Sequence, residues 1–155
     1  MLKLNLGCGF DHQPQSEGWI NIDIDENKTP DIIWDLNNLF PSTMRSKYNI
    51  LKNSVDEVLI KHCLEHLNPT LFYELMKDLW KLCVNNATIT IIVPHWQQEA
   101  AFEPDHKWVY PPRTFKMIVN EYPHLVAPAK FEIVELVEKD EVKEPQTKCV
   151  YKVIK

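Results

Sequence analysis

The chain has 155 residues, 45% hydrophobic and 25% charged, an ordinary composition for a globular protein with a core of its own, so one domain over residues 1–155 is expected. Its formal net charge of −5 gives no general attraction to phosphate backbones, which argues against a nucleic acid partner. No apolar stretch approaches the ~20 residues of a membrane helix, no basic segment leads into an apolar one as in a signal peptide, and Cys8, Cys63, Cys83 and Cys149 lack CxxC spacing. Reduced thiols, a cytoplasmic location and no membrane partner are therefore expected.

In chain order, residues 2–6 read as a strand that runs directly into Gly7-Cys8-Gly9. The chain holds three glycines, Gly7, Gly9 and Gly18, where average usage of roughly 7% would give about eleven. Glycine is used where a backbone needs positive φ or a close approach, and an apolar strand ending in Gly-x-Gly is how open α/β sheets receive nucleotide-like ligands. Trp19-Ile20-Asn21-Ile22-Asp23-Ile24 alternates as a second strand. The intervening link, residues 10–18, has nine residues, while a parallel crossover normally needs a dozen or more. The first crossover helix is therefore expected to be reduced or absent. Ile32-Ile33-Trp34 and Val58-Leu59-Ile60 read as the third and fourth strands. Asn68-Pro69 starts a helix with an N-cap and a proline at the first position. Leu71, Phe72, Leu75, Leu79, Leu82 and Cys83 share its face, and Asn85-Asn86 is expected to stop it. Residues 87–93 form the fifth strand. Pro111-Pro112 opens a second helix with Phe115, Ile118 and Val119 inward. Residues 131–137 and 149–154 are two late strands joined by a charged connection around Glu138–Lys148, an antiparallel hairpin at the edge of a parallel sheet.

Ligands of such sheets bind beyond the carboxyl ends of the strands. The residues there are Gly7-Cys8-Gly9, Asp23 and Asp25, Asp35, Lys61-His62 and His95-Trp96. A carboxylate after the second strand can accept from both hydroxyls of a ribose, and one after the third from an exocyclic amine. His95, Trp96, Glu103, Asp105, His106 and Trp108 form a second polar and aromatic cluster, suited to an acceptor pocket.

The series Leu4-Asn5-Leu6-Gly7-Cys8-Gly9, Trp19-Ile20-Asn21-Ile22-Asp23, Asp35-Leu36 and His62-Cys63-Leu64-Glu65-His66-Leu67, with Asp105-His106-Lys107-Trp108-Val109-Tyr110 and Thr114-Phe115, resembles the class I S-adenosylmethionine-dependent methyltransferases. Among them it resembles the short type 11 proteins in which the second strand closely follows the first. The resemblance implies a Rossmann-like α/β fold with a seven-stranded, mostly parallel sheet whose last strand is antiparallel. It implies S-adenosylmethionine as cofactor, held by Leu6, Gly7, Cys8, Gly9, Asp23, Ile24, Asp35, Leu36 and His62. Asp23 would bind the ribose hydroxyls, and Asp35 with the Leu36 backbone would read adenine. Asn5 and Asp11 depart from the family, which often has an acidic residue and a third glycine there.

The expected reaction is methyl transfer to an oxygen or nitrogen of a small acceptor such as a sugar or another metabolite. His106, paired with Asp105 or another carboxylate, is the expected general base, followed by His62 and His95. With a strand opening at residue 2, the cofactor site is expected to be open, covered by loop 95–110, a second copy or a partner chain. Two alternatives remain: a non-catalytic methyltransferase-like binding module, and a metalloprotein using His62 and His66. His62-Cys63-Leu64-Glu65-His66 does match the H-x-x-E-H zinc signature. Yet it begins straight after a strand and a new helix starts just beyond it. A strand-to-helix junction held by Glu65 and His66 is expected instead, without a resident metal.

Overall fold

In the computed structural model, which describes residues 1–138 and 145–155, the apolar runs become seven strands. They are β1 (Leu2–Leu6), β2 (Trp19–Asp23), β3 (Ile32–Ile33), β4 (Val55–Lys61), β5 (Cys83–Pro94), β6 (Lys130–Val137) and β7 (Gln146–Ile154). They form one sheet in the order β3-β2-β1-β4-β5-β7-β6. The first five pair in parallel, and β7 runs antiparallel to both β5 and β6. This is the Rossmann-like sheet expected from the sequence, with the late hairpin at its edge.

The central strands bury every second side chain: Leu4, Leu6, Val58, Ile60, Ile89 and Ile91 are inaccessible to solvent, whereas Glu57, Leu59, Thr88 and Thr90 beside them are half-buried, so one face of the sheet carries most of the core. Asn68 caps the turn Pro69–Leu71 by accepting from Thr70 N at 3.1 Å. Helix α2 (Phe72–Leu82) follows and buries Phe72, Leu75, Met76, Leu79 and Leu82, each contributing on the order of 1.5–3 kcal/mol. A shorter helix precedes it, α1 (Ser42–Lys47). The Pro111-Pro112 start gives α3 (Pro112–Lys116), continued by a π turn over Met117–Glu121. Tyr151 donates its hydroxyl to Phe115 O at 2.8 Å, fastening this segment to β7.

The crossover helix between β1 and β2 is reduced, as expected, to one 3-10 turn, Gln15–Glu17. Two buried asparagines hold the link in place of a helix. Asn5 donates to Asp11 O (2.8 Å) and to Asn21 Oδ1 (2.9 Å). Asn21 Oδ1 also accepts from Gln13 N (2.8 Å), and Asn21 Nδ2 donates to Gln13 O and to Asp31 Oδ2, both at 3.0 Å. Backbone groups that a helix would pair within itself are here paired to side chains of the sheet. Both family departures serve this link: Asn5 anchors it, and the Asp11 carboxylate meets Lys61 Nζ at 2.7 Å.

Several elements differ from expectation. Helix α2 ends at Leu82 rather than at Asn85-Asn86, which lie inside β5. Asn86 adopts φ 66°, a left-handed conformation that asparagine tolerates, so the pair shapes an irregular strand start instead of ending a helix. Helix α1 gave no sequence signal, because its six residues bury only Met44 and show no apolar period. Of the connection expected at Glu138–Lys148, residues 146–148 belong to β7, while 139–144 lie outside the described residues. Among the described residues, no helix is long and apolar enough to cross a membrane.

Candidate functional site

The carboxyl ends of β1 to β5 lie along one rim, and two neighbouring cavities open there. The first has a volume of about 340 Å³ and is lined by Gly7, Gly9, Asp23, Ile24, Trp34, Asp35, Leu36, Asn37, His62, Cys63, His66, Leu67 and Lys107. Gly7 and Gly9 have φ of 66° and 51°. A Cβ on Gly7 would lie 2.2 Å from Cys63 Sγ, whereas one on Gly9 would have nothing within 4 Å. Gly7 therefore packs the turn against the end of β4, and Gly9 exposes bare backbone to the opening. Asp23 shapes the same turn: its Oδ2 accepts from Gly9 N at 2.8 Å and its Oδ1 from Asp25 N at 2.9 Å. Each oxygen keeps a further lone pair for a ligand hydroxyl. Asp35 caps the turn Leu36–Asn38 through Oδ1, which accepts from Asn37 N at 2.9 Å and Asn37 Nδ2 at 2.8 Å.

The second cavity, about 730 Å³, is lined by His62, Glu65, His66, Pro94, Gln97, Gln98, Glu99, Ala100, Glu103, His106, Pro145 and Gln146. His62 and His66 line both cavities and so form the wall between them. His62 sits at φ 50°, uncommon for a residue with a side chain. Its Nδ1 lies 3.5 Å from Glu65 Oε1, and its Nε2 lies 2.9 Å from the Gln146 amide nitrogen. Segment 95–110 folds onto this rim, because Lys107 N and Trp108 N donate to Glu65 O at 2.8 and 3.4 Å. It thereby supplies Lys107 to the smaller cavity and Glu103 and His106 to the larger.

The expected site residues divide on this geometry. Gly7, Gly9, Asp23, Ile24, Asp35, Leu36 and His62 all line the smaller cavity. Leu6 and Cys8 line neither: Leu6 points into the core, and Cys8 is buried, its thiol pushed up to about 11 by burial first and by the Asp23 charge second. His106 lines the larger cavity, but its nearest carboxylate is Glu103, 3.9 Å from Nε2. The expected pairing with Asp105 is not formed; Asp105 instead meets His66 Nδ1 at 3.3 Å. His95 is buried and lines neither cavity. Its Nδ1 faces Gln97 N at 3.3 Å and its backbone N donates to Pro145 O at 2.9 Å, so it fixes the turn after β5. Trp34, Asn37, Lys107, Gln97 and Gln98 are additional to the expected site residues, and Glu65, expected to hold the strand-to-helix junction, makes its bonds there through its backbone oxygen while its carboxylate has no hydrogen-bond partner. Trp34 and Asn37 flank Asp35, so the sequence did carry a signal for them, whereas Lys107 reaches its cavity only through the folding of segment 95–110.

No family model matches the chain, and no curated protein matches it in sequence. Solved structures do match. An S-adenosylmethionine-dependent methyltransferase from Archaeoglobus fulgidus is 18% identical with a TM-score of 0.66, over 97% of this chain and 85% of that one. The 1,6-didemethyltoxoflavin-N1-methyltransferase of Burkholderia thailandensis, solved with 1,6-didemethyltoxoflavin and S-adenosylhomocysteine bound, is 11% identical with a TM-score of 0.64, over 99% of this chain and 71% of that one. The 16S rRNA (adenine(1408)-N(1))-methyltransferase of Catenulisporales acidiphilia is 12% identical with a TM-score of 0.62, over 99% of this chain and 85% of that one. This last likeness corrects the expected partner set. Net charge argues against nucleic acid in the sequence, yet an enzyme with this fold acts on ribosomal RNA, so the fold does not exclude a nucleic acid acceptor. Strand order, the antiparallel seventh strand and these likenesses agree: the chain has the fold of the class I S-adenosylmethionine-dependent methyltransferases.

Proposed function

We propose that the chain is a methyltransferase that binds S-adenosylmethionine in the smaller cavity and methylates an oxygen or nitrogen of an acceptor held in the larger one. The observation that carries this reading is the common wall: His62 and His66 border a cavity built from a glycine turn and two carboxylates on one side, and a polar cavity on the other. The residues of the smaller cavity fit the cofactor chemically. The bare backbone at Gly9 accommodates the methionine portion, Asp23 keeps lone pairs for the ribose hydroxyls, and Asp35 with Leu36 suits adenine, between the apolar side chains of Ile24 and Trp34. When bound, the cofactor supplies a methyl group already activated on a sulfonium sulfur.

The remaining task of the protein is placement, and orientation of the acceptor is worth ~7–11 kcal/mol. His62 is the general base in this reading. It borders both cavities, so its ring stands between the proposed cofactor and the proposed acceptor. His106 is displaced from that role because its side chain is 6% exposed and lines only the larger cavity. The reading includes one domain over residues 1–155 and a cytoplasmic location, where four buried thiols stay reduced.

Calorimetric titration with S-adenosylhomocysteine tests it. Asp23→Ala removes charge-assisted bonds worth ~1.5–3 kcal/mol each, so affinity falls by at least about tenfold. Equal affinity of wild type and Asp23→Ala would refute the ribose assignment.

A further inference from the structure

We propose that Glu65, His66 and His106 bind one first-row divalent cation at the edge of the larger cavity. The side chain of Glu65 is 3% exposed, and neither carboxylate oxygen has a hydrogen-bond partner. A carboxyl group that stays ionised when removed from water without donors is strongly disfavoured unless a cation faces it. His62 Nδ1, 3.5 Å from Oε1, is too distant to satisfy both oxygens. His106 supplies a second orphan: its Nδ1 is buried and unpartnered. The ligand atoms that Glu65, His66 and His106 offer all lie within 4.8 Å of one another. Bonds of 2.0–2.2 Å to a tetrahedral ion separate its ligands by about 3.4 Å, so small side-chain torsions bring them into range.

The surroundings are those of a metal site. Imidazoles that ligate metals usually turn the other ring N–H towards a carboxylate or carbonyl, which fixes tautomer and orientation. His66 Nδ1 has Asp105 Oδ2 at 3.3 Å, whereas His106 Nε2 and Glu103 Oε2, 3.9 Å apart, are near one another without a hydrogen bond. The backbone is prepared as well. Glu65 and His66 lie in the single turn Leu64–His66 after β4, and Lys107 N and Trp108 N donate to Glu65 O, which locks His106 above them. The His66 and His106 rings meet edge to face, 4.7 Å apart.

Two imidazoles and one carboxylate suit Zn²⁺, Co²⁺, Fe²⁺ or Mn²⁺ rather than Ca²⁺, which prefers oxygen ligands. The set differs from the H-x-x-E-H reading: His62 has no part in it, and His106, from a distant segment, completes it. All three ligands line the larger cavity, so the remaining coordination positions face the acceptor. That consequence rests on the methyl-transfer reading, whereas cation binding does not.

The test is titration of the chelator-treated protein with Co²⁺, read by visible absorption, and with Zn²⁺, read by calorimetry, without cofactor. The expected result is one Co²⁺ per chain, displaced by one Zn²⁺. Glu65→Gln, His106→Gln and His66→Gln should each weaken binding by at least about 100-fold, the upper end of what loss of a supporting group costs. The His66 side chain is 38% exposed, so His66→Gln keeps the test valid if the buried variants fail to fold. No stoichiometric binding, or binding unchanged in His66→Gln, would overturn the proposal. S-adenosylhomocysteine titration of the same preparation reports separately on the methyl-transfer reading.

Discussion

Gly7 and Gly9 share positive φ but carry different burdens. A methyl group at Gly7 would collide with Cys63 Sγ and Cβ at 2.2 and 2.5 Å, so Gly7→Ala should destabilise the fold by roughly 1–3 kcal/mol, read as a lower thermal midpoint. At Gly9 only the conformational penalty applies, about 1–2 kcal/mol, and the new methyl stands in the opening. Gly9→Ala should therefore lose S-adenosylhomocysteine affinity with the smaller stability change. The reverse ranking would show that the turn is positioned for packing alone. The thiols offer a pH test at the same scale. Burial raises Cys83 and Cys149 to about 12 and, with the Asp23 charge, Cys8 to about 11. Native protein at pH 8 should resist alkylation by iodoacetamide, and denatured protein should react at all four positions. Rapid native labelling of Cys8 would contradict its burial. Gly7, Gly9, Asp23 and Asp35 were legible in the sequence because each follows an apolar run, where strand ends are easily read. Leu6 and Cys8 were carried along with their motif although their side chains turn away from the cavity.

The element whose construction differs most from an ordinary crossover is the link 10–18. Its stability rests on Asn5 and Asn21 rather than on a helix of its own. Asn21→Ala would leave Asn5 Nδ2, Gln13 N and Gln13 O without their side-chain partner. Buried groups left unpaired cost about 1–3 kcal/mol, so the denaturant midpoint should fall by that order with an unchanged slope. A shift under a few tenths of a kcal/mol would mean that water replaces the bonds. The shortness of the link told that a helix was missing, but not what replaced it, because the replacement depends on two polar side chains meeting across β1 and β2. The end of α2 differs from expectation for a related reason: Asn85-Asn86 carries a stop signal locally, yet Cys83 already pairs with Val55 of β4, and the asparagines lie in the irregular stretch before Thr88 pairs with Glu57.

For the whole molecule, the alternation of short strands and helices was enough to expect the sheet and its antiparallel edge. The acceptor was not legible, since net charge describes the surface as a whole whereas acceptor choice is made in one cavity by a few groups. The larger cavity was only partly legible, since segment 95–110 reaches it through backbone bonds to Glu65 that no periodicity announces. Within the catalytic reading, His62→Gln should lower methyl turnover by about 10²–10⁴-fold, well beyond any loss in S-adenosylhomocysteine affinity. Equal losses in both would make His62 a binding residue only. The central claim is that the cofactor lies across the carboxyl ends of β1, β2 and β3, and amide chemical-shift mapping with S-adenosylhomocysteine tests it most directly. The largest shifts are expected at Gly7, Gly9, Asp23, Ile24, Asp35 and Leu36, with residues 130–137 of β6 unmoved. Saturable binding that shifts β6 or segment 95–110 while leaving Gly9, Asp23 and Asp35 unchanged would contradict that placement.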